Sequence, residues 1–358
     1  MDSRATTRGT AWRFSLAVLC LATLASSLRA QSCQTSGEIE AARLASIQAS
    51  AKKYVDLAAA GELAAMQASA VAGAAAEFPP ITSATFEKFP AGSKSSLRES
   101  FLLEADADAV MPRAEFLCGT FGKAGQTANS AVFVLTNLRP GTYAVVIFDL
   151  ESVASGSQPA TFALILERAP ENTSPNLQDG INNDAGKQDD WKLAAAFLRP
   201  SRVAGHDAAW LAARAHEFRD KGQRHNAWLY YLAARNIAPA LPFMSTGVTD
   251  TLYDDARGTQ PADFPTDAKP ADFAAGGAHY RLTSVTAEDV GGDLDLVVRY
   301  DESDVSNPSK TYAQNVALIR ALVAKLPELR AAFAGVVARA VTPAGNDYGT
   351  LLAMKKVR

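Results

Sequence analysis

Four histidines and three cysteines in 358 residues leave little material for a metal centre or a thiol-based active site. The histidines are His206, His216, His225 and His279, spread through the second half of the chain. His216-Glu217 begins like a zinc-protease helix, but Asp220 stands where the second ligand belongs, so His216 reads as a packed or solvated residue. No serine lies in a Gly-x-Ser-x-Gly elbow. Ser50-Ala51-Lys52-Lys53 fits Ser-x-x-Lys, but inside an amphipathic helix and without the companion motifs. A glycine-rich phosphate loop is missing too, since Gly291-Gly292 belongs to a hairpin turn. Asp179 to Gly186 has the composition of a calcium loop without its alternating ligands or closing glutamate. No catalytic, cofactor-binding or metal-binding residue is assigned, and no cofactor is expected.

Long apolar runs and basic runs are equally scarce. The one sustained apolar stretch, Phe14 to Ala25, follows Arg4, Arg8 and Arg13 and precedes small residues up to Ala30. Charged, apolar, then small is the order of a secretory signal peptide, and 12 residues are too few to span a bilayer. Cleavage is expected between Ala30 and Gln31. It removes four arginines and one aspartate from totals of 35 basic and 38 acidic residues, leaving a net charge of −6. With no basic-aromatic stripe, nucleic-acid binding has no electrostatic footprint. The mature chain is therefore expected to be exported, periplasmic or secreted, without a transmembrane segment. Cys20 leaves with the signal, and Cys33 and Cys118 are expected to pair in an oxidising compartment. Lipid attachment through Cys33 is the alternative, although Ala30-Gln31-Ser32 lacks the large aliphatic residue usual before such a site.

The remaining pattern is α+β. Thr35 and Glu38 have capping-box spacing, and Leu44, Ile47, Ala51, Tyr54 and Ala58 recur at helical spacing, predicting a helix over 38–60. A second helix is expected from Glu62 to Val71. Strand patterns follow at 95–104, 114–121, 130–137, 142–150, 160–168 and 191–198, with a polar loop at 169–188. Beyond the next helices, residues 241–276 are rich in Pro, Asp, Ala and Gly and read as a linker, with a short helix expected between Thr249 and Arg257. Residues 277–358 read as ββαββ. Strands lie at Tyr280–Ala287 and from Leu294 to Tyr300, a helix carries Tyr312, Val316, Ile319 and Val323, and a final hairpin turns at Pro343-Ala344-Gly345-Asn346.

Two resemblances add to this. Residues 208–239, within a segment bounded at 201–240, resemble a single tetratricopeptide repeat. Gly222 lies at the turn, Phe218 late in the first helix, the small residues Ala227 and Ala234 flank Tyr231 in the second, and Pro239 closes it. Leu211, Arg214 and Ala215 depart from the family pattern. One such unit cannot bury its own face, and it is expected to dock on the domain before it. The order of helices, then strands, over 36–199 resembles the nuclear transport factor two-like (cystatin-like) α+β fold, which implies helices held in a curved antiparallel sheet over 31–200. A β-sandwich with a helical extension is the competing arrangement, because Leu138 to Val145 also resembles a turn of prealbumin-like modules.

These features point to a non-enzymatic binding or scaffold protein acting through protein–protein contacts. Candidate partner surfaces are Trp210, Trp228 and Tyr230 on the hairpin and the second face of the C-terminal sheet. The alternative is a small-molecule-binding or enzymatic pocket inside the N-terminal domain, with Glu104 or Glu115 as candidate carboxylates.

Overall fold

The computed structural model describes residues 31–86, 89–90, 92–119, 130–151, 158–169, 190–266, 268–275 and 277–358. The expected leader (1–30) and the aspartate-rich loop at 179–186 lie outside these residues. The fold is α+β, with three mostly antiparallel sheets. No helix among the described residues is long and apolar enough to cross a membrane.

The N-terminal half comprises β1 (Gln31–Thr35), α1 (Ala41–Ala59), α2 (Leu63–Ala68), the single turn α3 (Ser83–Phe86), β2 (Lys94–Ala105), β3 (Met111–Cys118), β4 (Ala131–Leu138), β5 (Gly141–Glu151), β6 (Ala160–Arg168) and β7 (Trp191–Pro200). The Thr35–Glu38 pair forms, with the Glu38 carboxylate accepting from the Thr35 backbone N–H at 2.8 Å. It closes the turn ahead of the helix, however, and Glu40 is the residue that caps α1, through the N–H groups of Ala42 and Arg43. The strands do not share one curved sheet. β1, β2, β5, β6 and β7 form a five-stranded sheet in the order β1-β2-β5-β6-β7, and β3 and β4 leave it to build a second layer.

Alternation along each central strand produces this layering. Tyr143, Val145 and Ile147 of β5 face the second sheet, where they meet Phe116, Phe133 and Leu135. Ala144, Val146, Phe148 and Leu150 face the opposite way, onto Ile47, Ala51, Tyr54 and Val55 of α1. A strand covered on both faces shows no polar alternation, hence the unbroken apolar run Tyr143 to Phe148. The segment after α2 tucks Ala74, Ala75 and Phe78 between the sheets. It is held there by Glu77, whose carboxylate accepts from the Thr136 backbone N–H at 2.9 Å and from its hydroxyl at 2.6 Å.

The second half comprises α4 (Ala208–Asp220), α5 (Arg224–Ile237), β8 (Met244–Thr246), α6 (Gly247–Thr259), β9 (Ala271–Ala275), β10 (Ala278–Val290), β11 (Asp293–Asp301), α7 (Pro308–Lys325), a 3-10 turn (Pro327–Ala331), β12 (Gly335–Val341) and β13 (Asp347–Ala353). Asp207 caps α4 by accepting from the Trp210 N–H at 2.8 Å, and Gly222, at φ 73°, makes the turn into α5. Ala215, Ala227, Tyr231 and Ala234 are fully buried between the paired helices.

Residues 241–276 are not a linker. β8 pairs with β4, so Leu241, Phe243 and Met244 complete the second sheet of the N-terminal half. Thr246 and Thr249 cap α6 reciprocally, and Leu252 and Ala256 set its buried face. β9 adds a fifth strand to the C-terminal sheet, whose order is β13-β12-β11-β10-β9. The hairpin likewise docks elsewhere than expected. Leu229, Tyr230, Ala233 and Ile237 of α5 belong to one apolar core with Leu282, Val285, Leu296, Leu322 and Phe333 of the following domain. Together α5 and α7 cover the sheet face formed by Leu282, Leu296, Val298, Tyr300, Val336 and Ala338. Within α7 the buried positions are Asn315, Leu318, Ile319, Leu322 and Val323, so the apolar stripe is rotated and Tyr312 is exposed.

Cys33 of β1 and Cys118 at the end of β3 are joined by a disulfide with their Cα atoms 4.9 Å apart. The bridge ties the five-stranded sheet to the three-stranded one and leaves no thiol on Cys33 for a lipid thioether. It closes a loop of 85 residues, which chain-entropy reasoning converts to about 4.6 kcal/mol. Reduction, or Cys118→Ala, is expected to lower the free energy of urea unfolding by up to about 4.6 kcal/mol. An unchanged midpoint in reductant would contradict the bridge.

Candidate functional site

The seam where α5, α6 and the edge of β10 meet combines concavity, aromatic surface and unmatched charge. α5 is buried on most of its circumference because α4, α6 and the C-terminal sheet surround it. Polar groups on its path are anchored. The Tyr230 hydroxyl donates to the Ala332 carbonyl at 2.5 Å, and the Asn226 amide donates to the Glu328 carbonyl at 2.8 Å. Burial pushes the Tyr230 phenol up to about 12, so it remains a donor throughout the physiological range.

Of the three aromatic residues nominated from sequence, the structure exposes Trp210, at 41%, and buries Trp228 and Tyr230, at 6% and 3%. Trp210 stacks on His206 at 3.5 Å between ring centroids, while Trp228 meets Phe264 edge-on at 5.9 Å. Trp210 also packs against Tyr230 at 6.2 Å, but with two of the three buried they form no open surface. Trp228 and Tyr230 serve the joint with the C-terminal domain, and helical spacing could not distinguish that joint from an open face. Glu104 and Glu115 lie outside the apolar space between the sheets: Glu104 pairs with Arg43, and Glu115 sits beside Arg113.

Two clefts flank the end of α6, with Arg257 and Gln260 in both linings. The first, about 590 Å³, is bordered by Asp263, Lys269 and Asp272. Next to it His225 bridges two carboxylates, with Nε2 2.9 Å from Asp263 and Nδ1 3.0 Å from Glu328. The ring packs against Phe264 at 4.7 Å. With both carboxylates ionised, both contacts are hydrogen bonds when the ring carries both protons. This trio joins hairpin, connector and C-terminal domain, and its geometry is that of a latch across three segments. Burial opposes the charge on Asp263. The hydrogen bond and charge of His225, with Lys325 at 3.8 Å, outweigh it and hold the carboxyl below its usual range.

The second cleft, about 420 Å³, runs along Thr283 to Thr286 of β10, with Trp228, Leu232 and Arg235 of α5 and Tyr253 and Arg257 of α6 on its walls. The Arg235 guanidinium lies 4.6 Å above the Tyr253 ring, and Tyr253 is half exposed. A third feature, the cross-strand pair Glu288 and Asp295, is chemically closed. Burial and the neighbouring Asp293 raise the Asp295 carboxyl, which is 3% exposed and out of reach of a substrate. Glu288 is committed to Arg299 at 2.8 Å. Among the described residues, no group of three or more His, Cys, Asp or Glu side chains is placed to hold a metal ion.

Comparison with protein-family models, curated proteins and solved structures returns no match to this chain. The site therefore stands on its own geometry. The short helix expected between Thr249 and Arg257 is present as α6, but the groove was missed because Pro265, Thr266 and Ala268 beside it lie in the segment read as a linker. The pair Thr246 and Thr249 ahead of Leu252 and Ala256 marks where that helix starts.

The depressed Asp263 carboxyl has a defined pH signature. An acid whose folded-state pKa is lowered contributes stability above its unfolded value, about 3.9, and loses it as pH falls through the folded value. Urea midpoints of the protein and of Asp263→Asn should therefore differ at pH 5 and converge as acid is added. A difference that stayed constant down to pH 2 would contradict the latch.

Proposed function

We propose that this is an exported binding or scaffold protein acting through protein–protein contacts, with recognition centred on the seam between the hairpin, α6 and β10. The observation that carries this reading is the groove of about 420 Å³, where an open strand edge runs beside exposed aromatic and arginine side chains. Tyr and Arg are the residue types enriched at interface anchors, and Tyr253 and Arg257 project from a helix fixed by its own capping box. Export is supported by the leader-like sequence of residues 1–30 and agrees with a structural disulfide between Cys33 and Cys118.

The alternative pocket in the N-terminal domain draws no support from the packing. The space between the sheets holds Phe101, Phe116, Phe133 and Tyr143, all fully buried, and Phe101 and Phe133 meet edge-on at 5.2 Å.

The reading predicts where a partner will be found. A photo-crosslinking residue replacing Tyr253, in the full chain expressed in its native envelope, should give a discrete protein adduct. The same residue replacing Leu97, also exposed but on β2, should not. Equal adducts at both positions, or none at Tyr253, would count against a partner surface at the seam.

A further inference from the structure

We infer that the groove beside β10 receives an extended, acidic peptide segment of a partner protein, which adds to the open edge of that strand. The inference rests on the binding reading above and specifies the chemistry of what binds.

The edge comes first. β9 pairs with β10 from Ala278 to Leu282, where Ala271 is the last partner, yet β10 continues to Val290. From Thr283 onward no described strand lies on that side, and Thr283 to Thr286 line the groove instead. An unpaired strand edge presents a row of N–H and C=O groups, and an added strand satisfies them. Edges left open are normally blunted by charge, proline, a bulge or a covering element, and this one begins at a register shift between Leu282 and Ser284. At the far end of this one, Asp289 accepts from the Ala204 backbone N–H at 3.0 Å and from the Gln158 amide at 2.6 Å, so the edge is obstructed there and open where the groove lies.

The charge comes second. The whole chain has a net charge of −3, but the described lining of this groove contains two arginines and no carboxylate. Asp267, between two lining residues, lies outside the described residues. Neither Arg235 nor Arg257 makes an ion pair with a described residue, and Arg235 is held over the Tyr253 ring. On the C-terminal sheet three arginines are matched, Arg281 with Asp301, Arg299 with Glu288 and Arg339 with Asp347, while Arg330 after α7 donates only to the Met354 and Val357 carbonyls. An incoming carboxylate would find two forked donors beside a strand edge, an arrangement suited to bidentate recognition. Alternate side chains of an added strand point the same way, so acidic residues two apart would face the arginines. The intervening ones would point to the opposite face of the sheet, away from α5.

The test uses the full chain and three fluorescein-labelled heptapeptides followed by anisotropy. One alternates valine with glutamate, the second alternates valine with lysine, and the third is the glutamate peptide N-methylated at alternate backbone amides. The glutamate peptide should bind and weaken as salt is raised. The lysine and N-methylated peptides should bind at least tenfold more weakly. Arg257→Glu, at an exposed helical position, should cost the glutamate peptide at least tenfold, and Arg235→Glu with Arg257→Glu should reverse the preference. Circular dichroism confirms that each variant is folded. Failure of the glutamate peptide to bind, indifference to peptide charge, or indifference to N-methylation each overturns the inference. If the Tyr253 crosslink still forms in that event, the binding reading survives and the acidic strand is wrong. If neither is seen, both fall.

Discussion

The joint between α5 and the C-terminal sheet is the constraint on which the rest of this structure depends. An isolated helical hairpin buries too little to stand alone, and this one solves the problem by giving its apolar face to Leu282, Val285 and Leu296. The chain then returns to the N-terminal half, where β8 pairs with β4, before crossing again to α6 and β9. Two halves that look separable in sequence are thereby stitched together, and the stitching leaves a groove where the end of α6 passes the unpaired part of β10.

Much of the fold was legible because amphipathic periodicity survives wherever an element has one covered face. α1, the ββαββ order of the last 80 residues and the two helices of the hairpin follow from such spacing within a few residues. Of the two arrangements open for the N-terminal half, the strands follow the layered one rather than the single curved sheet, and sequence could not choose for a related reason. Each of β3 and β4 has one buried face whether it extends the main sheet or folds over it, so alternation cannot choose. What decides is the disulfide between β1 and β3 and the return of β8, both long-range facts.

The candidate site was barely legible. Residues 241–276 carry the Pro, Gly and Asp content of a linker because they make three short elements with turns between them, and composition averages over that. Trp228 and Tyr230 looked like a partner surface because nothing local reveals that the partner is the chain's own next domain. The groove's distinguishing features, an edge without a neighbouring strand and arginines without carboxylates, are relations between distant residues: Arg235 and Thr283 meet only after the hairpin has docked. The His225 latch is likewise a contact among three segments, and its ligand-like spacing to Asp263 and Glu328 exists only in three dimensions.

Native-state hydrogen exchange, read by mass spectrometry at low urea concentrations, tests the central claim most directly. If α5 and the C-terminal sheet share one core, amides of Leu229 to Ala234 and of Leu294 to Tyr300 should open in a single step with the same free energy and the same urea dependence. Within Thr283 to Thr286, the amides that point away from β11, at the open edge, should exchange faster than those bonded to β11 or β9. Independent opening of the hairpin at markedly lower free energy than β11 would contradict the shared core and remove the fixed wall on which the groove depends.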